Sequence, residues 1–303
     1  MQARASRVAE GAERHRTGTR YPEDLTYTEA ALDYRGVPMS PSDENNTTES
    51  SVSFQDFGLD ARIVEALDEM GFETPTPIQA EAMPALMEGH DIIGRARTGS
   101  GKTAAFGLPL LDKIKDGGKQ VRALVLTPTR ELAIQIGEAL RTHSTHLSGV
   151  HGVTIYGGSP YPPQIQALKR GCSVVVGTPG RVIDLMERGS LDLSALELFV
   201  LDEADEMLRM GFIEDVERLL AETPEDRQVA LFSATMPAPI RKVASRYLNN
   251  PVEVQVEDRA LSVDHIHQHW LLAPQSHKLE ALCRILEGTS REATLVFAKT
   301  RAA

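Results

Sequence analysis

Six short apolar runs constrain this chain more than any other feature. They read "DIIG" (91–94), "ALVL" (123–126), "VTIY" (153–156), "SVVV" (173–176), "LFVL" (198–201) and "VALF" (229–232). Each is continuous rather than alternating, as a strand buried on both faces requires. Helical patterns lie between most of them, for example over 131–140 and 213–221. Strand–helix alternation of this kind predicts an α/β fold, a parallel sheet with helices on both faces. Such sheets bind ligands beyond the carboxyl ends of their strands. The residues that follow the runs are "RARTGSGKT", "TPTRELA", "GGS", "GTPGR", "DEAD" and "SAT". A parallel sheet brings all of these to one edge.

The alternation begins near Val52. Residues 1–50 are polar, first rich in Arg and then in Ser, Asn, Thr and Glu, with too few apolar side chains to build a core. They are expected to be a disordered tail, with a solvated helix over 3–16 as an option. The expected division is this tail, one α/β domain over 51–258, and a third segment over 259–303. The net charge of −11 argues against a broad polyanion-binding surface. Any nucleic-acid contact then has to come from a local patch or from oriented backbone groups. No apolar run approaches the ~20 residues of a membrane span, and the amino terminus lacks the apolar core of a secretory signal. No membrane partner is expected. Cys172 and Cys283 are read as reduced core residues of a cytoplasmic protein.

The stretch "ARTGSGKT", Ala96 to Thr103, matches the phosphate-binding pattern G-x-x-x-x-G-K-[ST] except at Ala96. Gly99 and Gly101 let the backbone curl so that the N–H groups of Arg97, Thr98, Ser100 and their neighbours converge on phosphate oxygens. The helix expected over 102–115 adds its positive end. Lys102 would reach the β- and γ-phosphates, and the Thr103 hydroxyl would bind Mg²⁺.

"LELFVLDEADEML" sets four carboxylates directly after a buried run. Acids favour a helix start, but a bound cation explains them as well. Asp202 ends a strand of the same sheet, where a Mg²⁺-ligating acid belongs. Glu203 is placed to orient and deprotonate an attacking water. Asp205 is expected to bond a neighbouring strand-end loop, and Glu206 to be a solvated residue of the first helical turn.

Taken together, "GFETPTPIQ" (71–79), "ARTGSGKT", "PTRELA" (128–133), Gly157–Gly158, "TPGR" (178–181), "DEAD" (202–205) and "SAT" (233–235) resemble the DEAD-box RNA helicases. The resemblance runs from about Phe54 to Thr300, and Ala96 is the usual residue there. It implies a RecA-like domain that binds ATP with Mg²⁺ and couples hydrolysis to RNA unwinding. It assigns adenine recognition to the segment of Phe72, Thr74 and Gln79, and base stacking to Phe54, although a core anchor explains Phe54 and a helix-surface amide explains Gln79 as well. A Gln amide can pair with N7 and N6 of adenine. It assigns RNA contacts to Pro128, Thr129, Arg130, Gly157, Gly158, Thr178, Gly180 and Arg181. Thr129 and Thr178 can cap helices and aim free N–H groups outward, although a capped helix after a strand explains those residues equally well. Contacts of this kind read phosphate and sugar, so binding would be independent of base sequence. Asp205, Ser233 and Thr235 are implied to couple the nucleotide and RNA sides.

"HIHQHWLLAPQSHKLEALCRIL" and "TLVFAKT" resemble a linker and the opening of a second RecA-like domain, whose arginine-bearing motifs are absent from this sequence. The expectation is a fragment that binds nucleotide and hydrolyses it slowly. His265, His267 and His269 share one face at strand spacing but lack a completing ligand, so no metal is assigned to them. Trp270 is read as core. A DNA translocase and a non-catalytic RNA clamp remain the alternatives.

Overall fold

In the computed structural model the described residues are 52–256, 269–288 and 293–298. The predicted tail, His265 and His267 lie outside them. Seven strands form one sheet: β1 (Ile92–Arg95), β2 (Ala123–Leu126), β3 (Gly152–Ile155), β4 (Val174–Gly177), β5 (Leu198–Leu201), β6 (Gln228–Ser233) and β7 (Val252–Gln255). The order is β3-β4-β2-β5-β6-β1-β7, and every pairing is parallel. The six apolar runs fall on β1 to β6 within a residue of their expected limits. β7 was not anticipated, because only Val254 of its four residues is buried. β3 corrects the expectation of burial on both faces: it is an edge strand, and its first three residues are exposed or half-buried.

The central strands feed two separate cores. Ile92, Val125, Val200, Ala230 and Phe232 face one apolar cluster. Ile93, Leu124, Leu126, Phe199, Leu201 and Leu231 face the other. That is the two-residue period of a strand with both faces covered. On the first face pack α1 (Ala61–Glu69), α2 (Pro77–Met87), α3 (Lys102–Lys113) and α4 (Arg130–His143). On the second pack α5 (Tyr161–Arg170), α6 (Pro179–Glu187), α7 (Ala204–Arg209), α8 (Ile213–Ala221) and α9 (Ala238–Tyr247). Cys172 is buried in the second core, where burial pushes its thiol up to about 11.

Some local chemistry explains the register. Asp91, just before β1, accepts from Val229 N at 2.7 Å and from Asn249 N at 2.6 Å. One carboxylate thus ties the amino ends of β1 and β6 to the segment leading into β7. Gly94 sits against the Phe232 ring, which a Cβ at that position would meet at 2.5 Å.

The carboxyl-terminal segment departs from expectation. Residues 269–274 form no strand, and Trp270 is 88% exposed rather than core. Cys283 lies on α10 (Lys278–Gly288), a helix that buries none of its residues, and is exposed.

Replacing Asp91 with Ala strips two backbone donors of their acceptor. Asp91→Ala is expected to lower the unfolding free energy by about 2–4 kcal/mol, measured from the urea midpoint.

Candidate functional site

Parallel pairing delivers every strand-end motif to one edge of the sheet. The strand order then divides that edge in two. β5, β6 and β1 carry the acids, "SAT" and the glycine loop, while β3, β4 and β2 carry the motifs assigned to RNA by resemblance.

The glycine loop runs from β1 into α3. Gly99 and Gly101 adopt φ of +84° and +96°, a region that other residues rarely enter. Gly101 has a second constraint, since a Cβ there would lie 2.6 Å from Gln79 Nε2. Ala96 is buried and donates its N–H to Ser233 O. Ser100 Oγ donates to Arg97 O at 2.8 Å, and Thr98 Oγ1 donates to Glu203 Oε1 at 3.1 Å. Thr103, half-buried, is the second residue of α3.

Lys102 Nζ lies 3.7 Å from Asp202 Oδ1, with both side chains almost wholly buried. That separation is a charge contact and too long for a hydrogen bond. Among the described residues the buried Nζ has no hydrogen-bond partner. A buried ammonium without one is costly, and a phosphate oxygen would supply it. Burial pushes the Asp202 carboxyl from 3.8 up to about 6; the Lys102 ammonium opposes this and the Glu203 carboxylate adds to it. A divalent cation would reverse that balance. The donor set of Asp202 carboxylate and Thr103 hydroxyl is the hard oxygen chemistry that suits Mg²⁺.

Glu203 is one of few non-glycine residues with positive φ, at +57°. The left-handed conformation costs it about 1–2 kcal/mol. The strain arises because β5 ends at Leu201 and α7 begins at Ala204, leaving two residues for the turn. The turn sets Glu203 beside Asp202, with Glu203 N donating to Asp202 Oδ1 at 3.1 Å.

Asp205 bonds the neighbouring strand end. Its N–H donates to Ser233 Oγ at 3.1 Å, and its Oδ2 accepts from Thr235 N at 3.0 Å and Thr235 Oγ1 at 2.8 Å. Burial raises its carboxyl, but the hydrogen bonds from Thr235 and Ser233 outweigh this and hold it below the usual range. Glu206 pairs with Arg209 at 2.8 Å in the first turn of α7.

On the base side the structure shows how two of the assigned residues are held. Phe54 is 3% exposed, covered edge-on by Phe57 and Phe72, so its ring offers no face to a base. The aromatic at the surface is Phe72, beside the exposed Thr74. Gln79 is buried, and both ends of its amide are engaged: Oε1 accepts from Thr76 N at 2.8 Å, and Nε2 donates to Gly101 O at 3.1 Å. In this state it ties the start of α2 to the phosphate loop instead of facing a base.

On the other half, Thr129 caps α4 by accepting from Leu132 N at 3.2 Å. Pro128 beside it is buried, and Arg130 is exposed next to Glu131. Gly157, Gly158 and Gly180 are exposed. Thr178 makes no side-chain cap for α6, contrary to expectation; its hydroxyl lies 3.4 Å from Gly157 N, joining two strand ends. Arg181 is largely buried. Its guanidinium turns inward, donating to Ser159 O at 3.0 Å and lying 4.1 Å from the centre of the Tyr161 ring. The sequence reading missed Tyr161, which also stacks with Arg188 and bonds Asp184 through its hydroxyl. No local pattern marks it, because those partners stand about twenty residues away along the chain.

The pattern that defines the DEAD/DEAH box helicases matches residues 76–243. The chain is 50% identical over 253 residues to an ATP-dependent RNA helicase DeaD of Klebsiella pneumoniae, covering 84% of this chain and 39% of that protein. It is 49% identical over 260 residues to one of Mycobacterium tuberculosis (strain CDC 1551 / Oshkosh), covering 86% of this chain and 46% of that protein. The chain therefore spans less than half the length of these relatives. A crystal structure of a DEAD box protein from the hyperthermophile Methanococcus jannaschii superposes with a TM-score of 0.64 at 40% identity, over 78% of this chain and 63% of that one. A hypothetical ATP-dependent RNA helicase from Sulfolobus tokodaii gives 0.61 at 40% identity, over 65% of this chain and 57% of that one.

Removing the ammonium beside Asp202 leaves burial unopposed. In Lys102→Met the Asp202 carboxyl is expected to titrate above about 6 in the nucleotide-free protein, read by carboxyl ¹³C NMR. Because its folded value lies above the unfolded one, this group contributes stability below about pH 4 and loses it as the pH rises through the folded value.

Proposed function

The chain belongs to the DEAD/DEAH box helicase family, and from that premise we propose that it forms the nucleotide-binding part of an ATP-dependent RNA helicase. The observation that carries the reading is the buried Lys102–Asp202 contact, with an ammonium that lacks a hydrogen-bond partner.

The residues divide the work as follows. N–H groups of the loop from Ala96 to Gly101, with the amino end of α3, hold the phosphates. Lys102 turns its free donors to the β- and γ-phosphate oxygens. Asp202 and Thr103 would hold Mg²⁺, which when bound neutralises charge across those oxygens. Glu203 accepts the proton of the attacking water. Its hydrogen bond from Thr98 links its position to the loop that touches the phosphates. Phe72 and Thr74 border the base.

RNA would lie along the other half of the edge, against Thr129, Arg130, Gly157, Gly158, Thr178 and Gly180. These groups suit a sugar–phosphate strand, so recognition is independent of base sequence. A few oriented donors suffice on a chain of net charge −11. Asp205, bonded to Ser233 and Thr235, joins the two halves and is the coupling element. We further propose that residues 51–258 form the RecA-like ATP-binding domain and that 259–303 open a second one across a linker. The site of action is the cytoplasm. Among the described residues no helix is long and apolar enough to cross a membrane.

Binding of a fluorescent ATP analogue with Mg²⁺ tests the nucleotide site. Lys102→Ala is expected to weaken it more than tenfold, and unchanged binding would refute the assignment. Turnover needs a protein that carries this chain together with a second RecA-like domain. There Glu203→Gln is expected to lower RNA-stimulated phosphate release by about 10²–10⁴ while nucleotide binding persists. Equal stimulation by RNA and DNA would favour a DNA translocase. Unchanged turnover in Glu203→Gln would remove Glu203 from the chemistry.

A further inference from the structure

We propose that Glu65, Glu69 and His146 form a Zn²⁺ site that fastens the end of α1 to the turn after α4. One carboxylate oxygen from each glutamate and one ring nitrogen of His146 lie within 4.8 Å of one another. Nothing in the nucleotide or RNA reading uses these residues.

The donors are brought together by the fold. Glu65 and Glu69 stand one helical turn apart and share a face of α1. The opposite face is fixed in the core by Ile63, Ala66 and Leu67. His146 comes from the other side, three residues past the end of α4, and Leu147 beside it is buried. His146 Nε2 lies 3.0 Å from Glu69 Oε2, so the two elements already touch through ligand atoms.

The chemistry selects the ion. Two carboxylates at this helical spacing repel each other, and a bound cation turns that repulsion into attraction. One imidazole and two carboxylates supply three of the N and O donors that zinc accepts, leaving a fourth position for water. Imidazole favours Zn²⁺ over Mg²⁺, which prefers an octahedron of oxygens. Tetrahedral zinc bonds set neighbouring ligand atoms about 3.3–3.5 Å apart. Small rotations of the two exposed glutamates close the cluster to that size. The site is open to solvent, so the ion loads and leaves from bulk.

Its position gives it a consequence. α1 leads through Met70 and Gly71 to Phe72, whose ring meets His143, the last residue of α4, edge-on at 6.0 Å. Phe72–His143 and Glu69–His146 are two rungs between the same pair of elements. Holding the outer rung with an ion restrains the inner one, and with it the exposed aromatic of the base side.

The test is Zn²⁺ titration of the full 303-residue chain by calorimetry, with excess Mg²⁺ and no nucleotide. Wild type is expected to take up one Zn²⁺ at micromolar concentration, with a shift of the His146 ring signals in NMR at the first equivalent. His146→Ala should lose this site. Glu65→Gln leaves the Glu69–His146 contact in place, so it keeps the fold, and it should bind at least about tenfold more weakly. The proposal is overturned if wild type takes up no Zn²⁺ at micromolar concentration. It is equally overturned if both variants bind as wild type does, since the ion would then sit on other histidines.

Discussion

The contact between Lys102 and Asp202 is the constraint around which this site is arranged. Two opposite charges are held out of water at 3.7 Å with no hydrogen bond between them. Neither group is well served in that state: burial lifts the Asp202 carboxyl, and the ammonium lacks an acceptor. A buried pair of this kind is poor evidence for stability. It makes sense as a site kept ready for a ligand that brings phosphate oxygens to one partner and a cation to the other.

The contact depends on the sheet. β1 and β5 are separated by β6, so the loop after β1 and the acids after β5 face each other across about 10 Å of strand spacing. Only a long side chain bridges such a gap. The intervening strand end is not idle. Ser233 at the end of β6 receives the Asp205 N–H, and its backbone carbonyl receives the Ala96 N–H. The end of β6 therefore bonds both the phosphate loop and the "DEAD" turn. The strained backbone at Glu203 belongs to the same design, since a one-residue reversal aims its carboxylate back at Thr98.

Much of this was readable from the chain. Continuous apolar runs located six strands, and the glycine loop and acid pair were placed from turn chemistry and helix-start patterns. What was not readable shares a cause. Phe54 and Phe72 are equally aromatic, and only packing shows that one covers the other. Gln79 was read as a base reader, yet its amide spans two backbone groups of α2 and the phosphate loop. Arg181 was assigned an RNA contact by resemblance, and only the fold shows that a tyrosine and a carbonyl hold it inward. Trp270 and Cys283 were read as core from side-chain chemistry alone, in a segment whose described residues form no strand.

The sequence by itself determined the fold class, the positions of six of the seven strands and the identity of the groups set at strand ends. Those properties are encoded locally, in hydrophobic period and in the few residue types that tolerate a given turn. Tertiary structure alone decided the order of the strands, and hence which motifs share a half of the edge. It also decided the inward turn of Gln79 and Arg181 and the meeting of Glu65, Glu69 and His146. Each of those rests on contacts between residues far apart along the chain, whose energies appear only once both cores have closed.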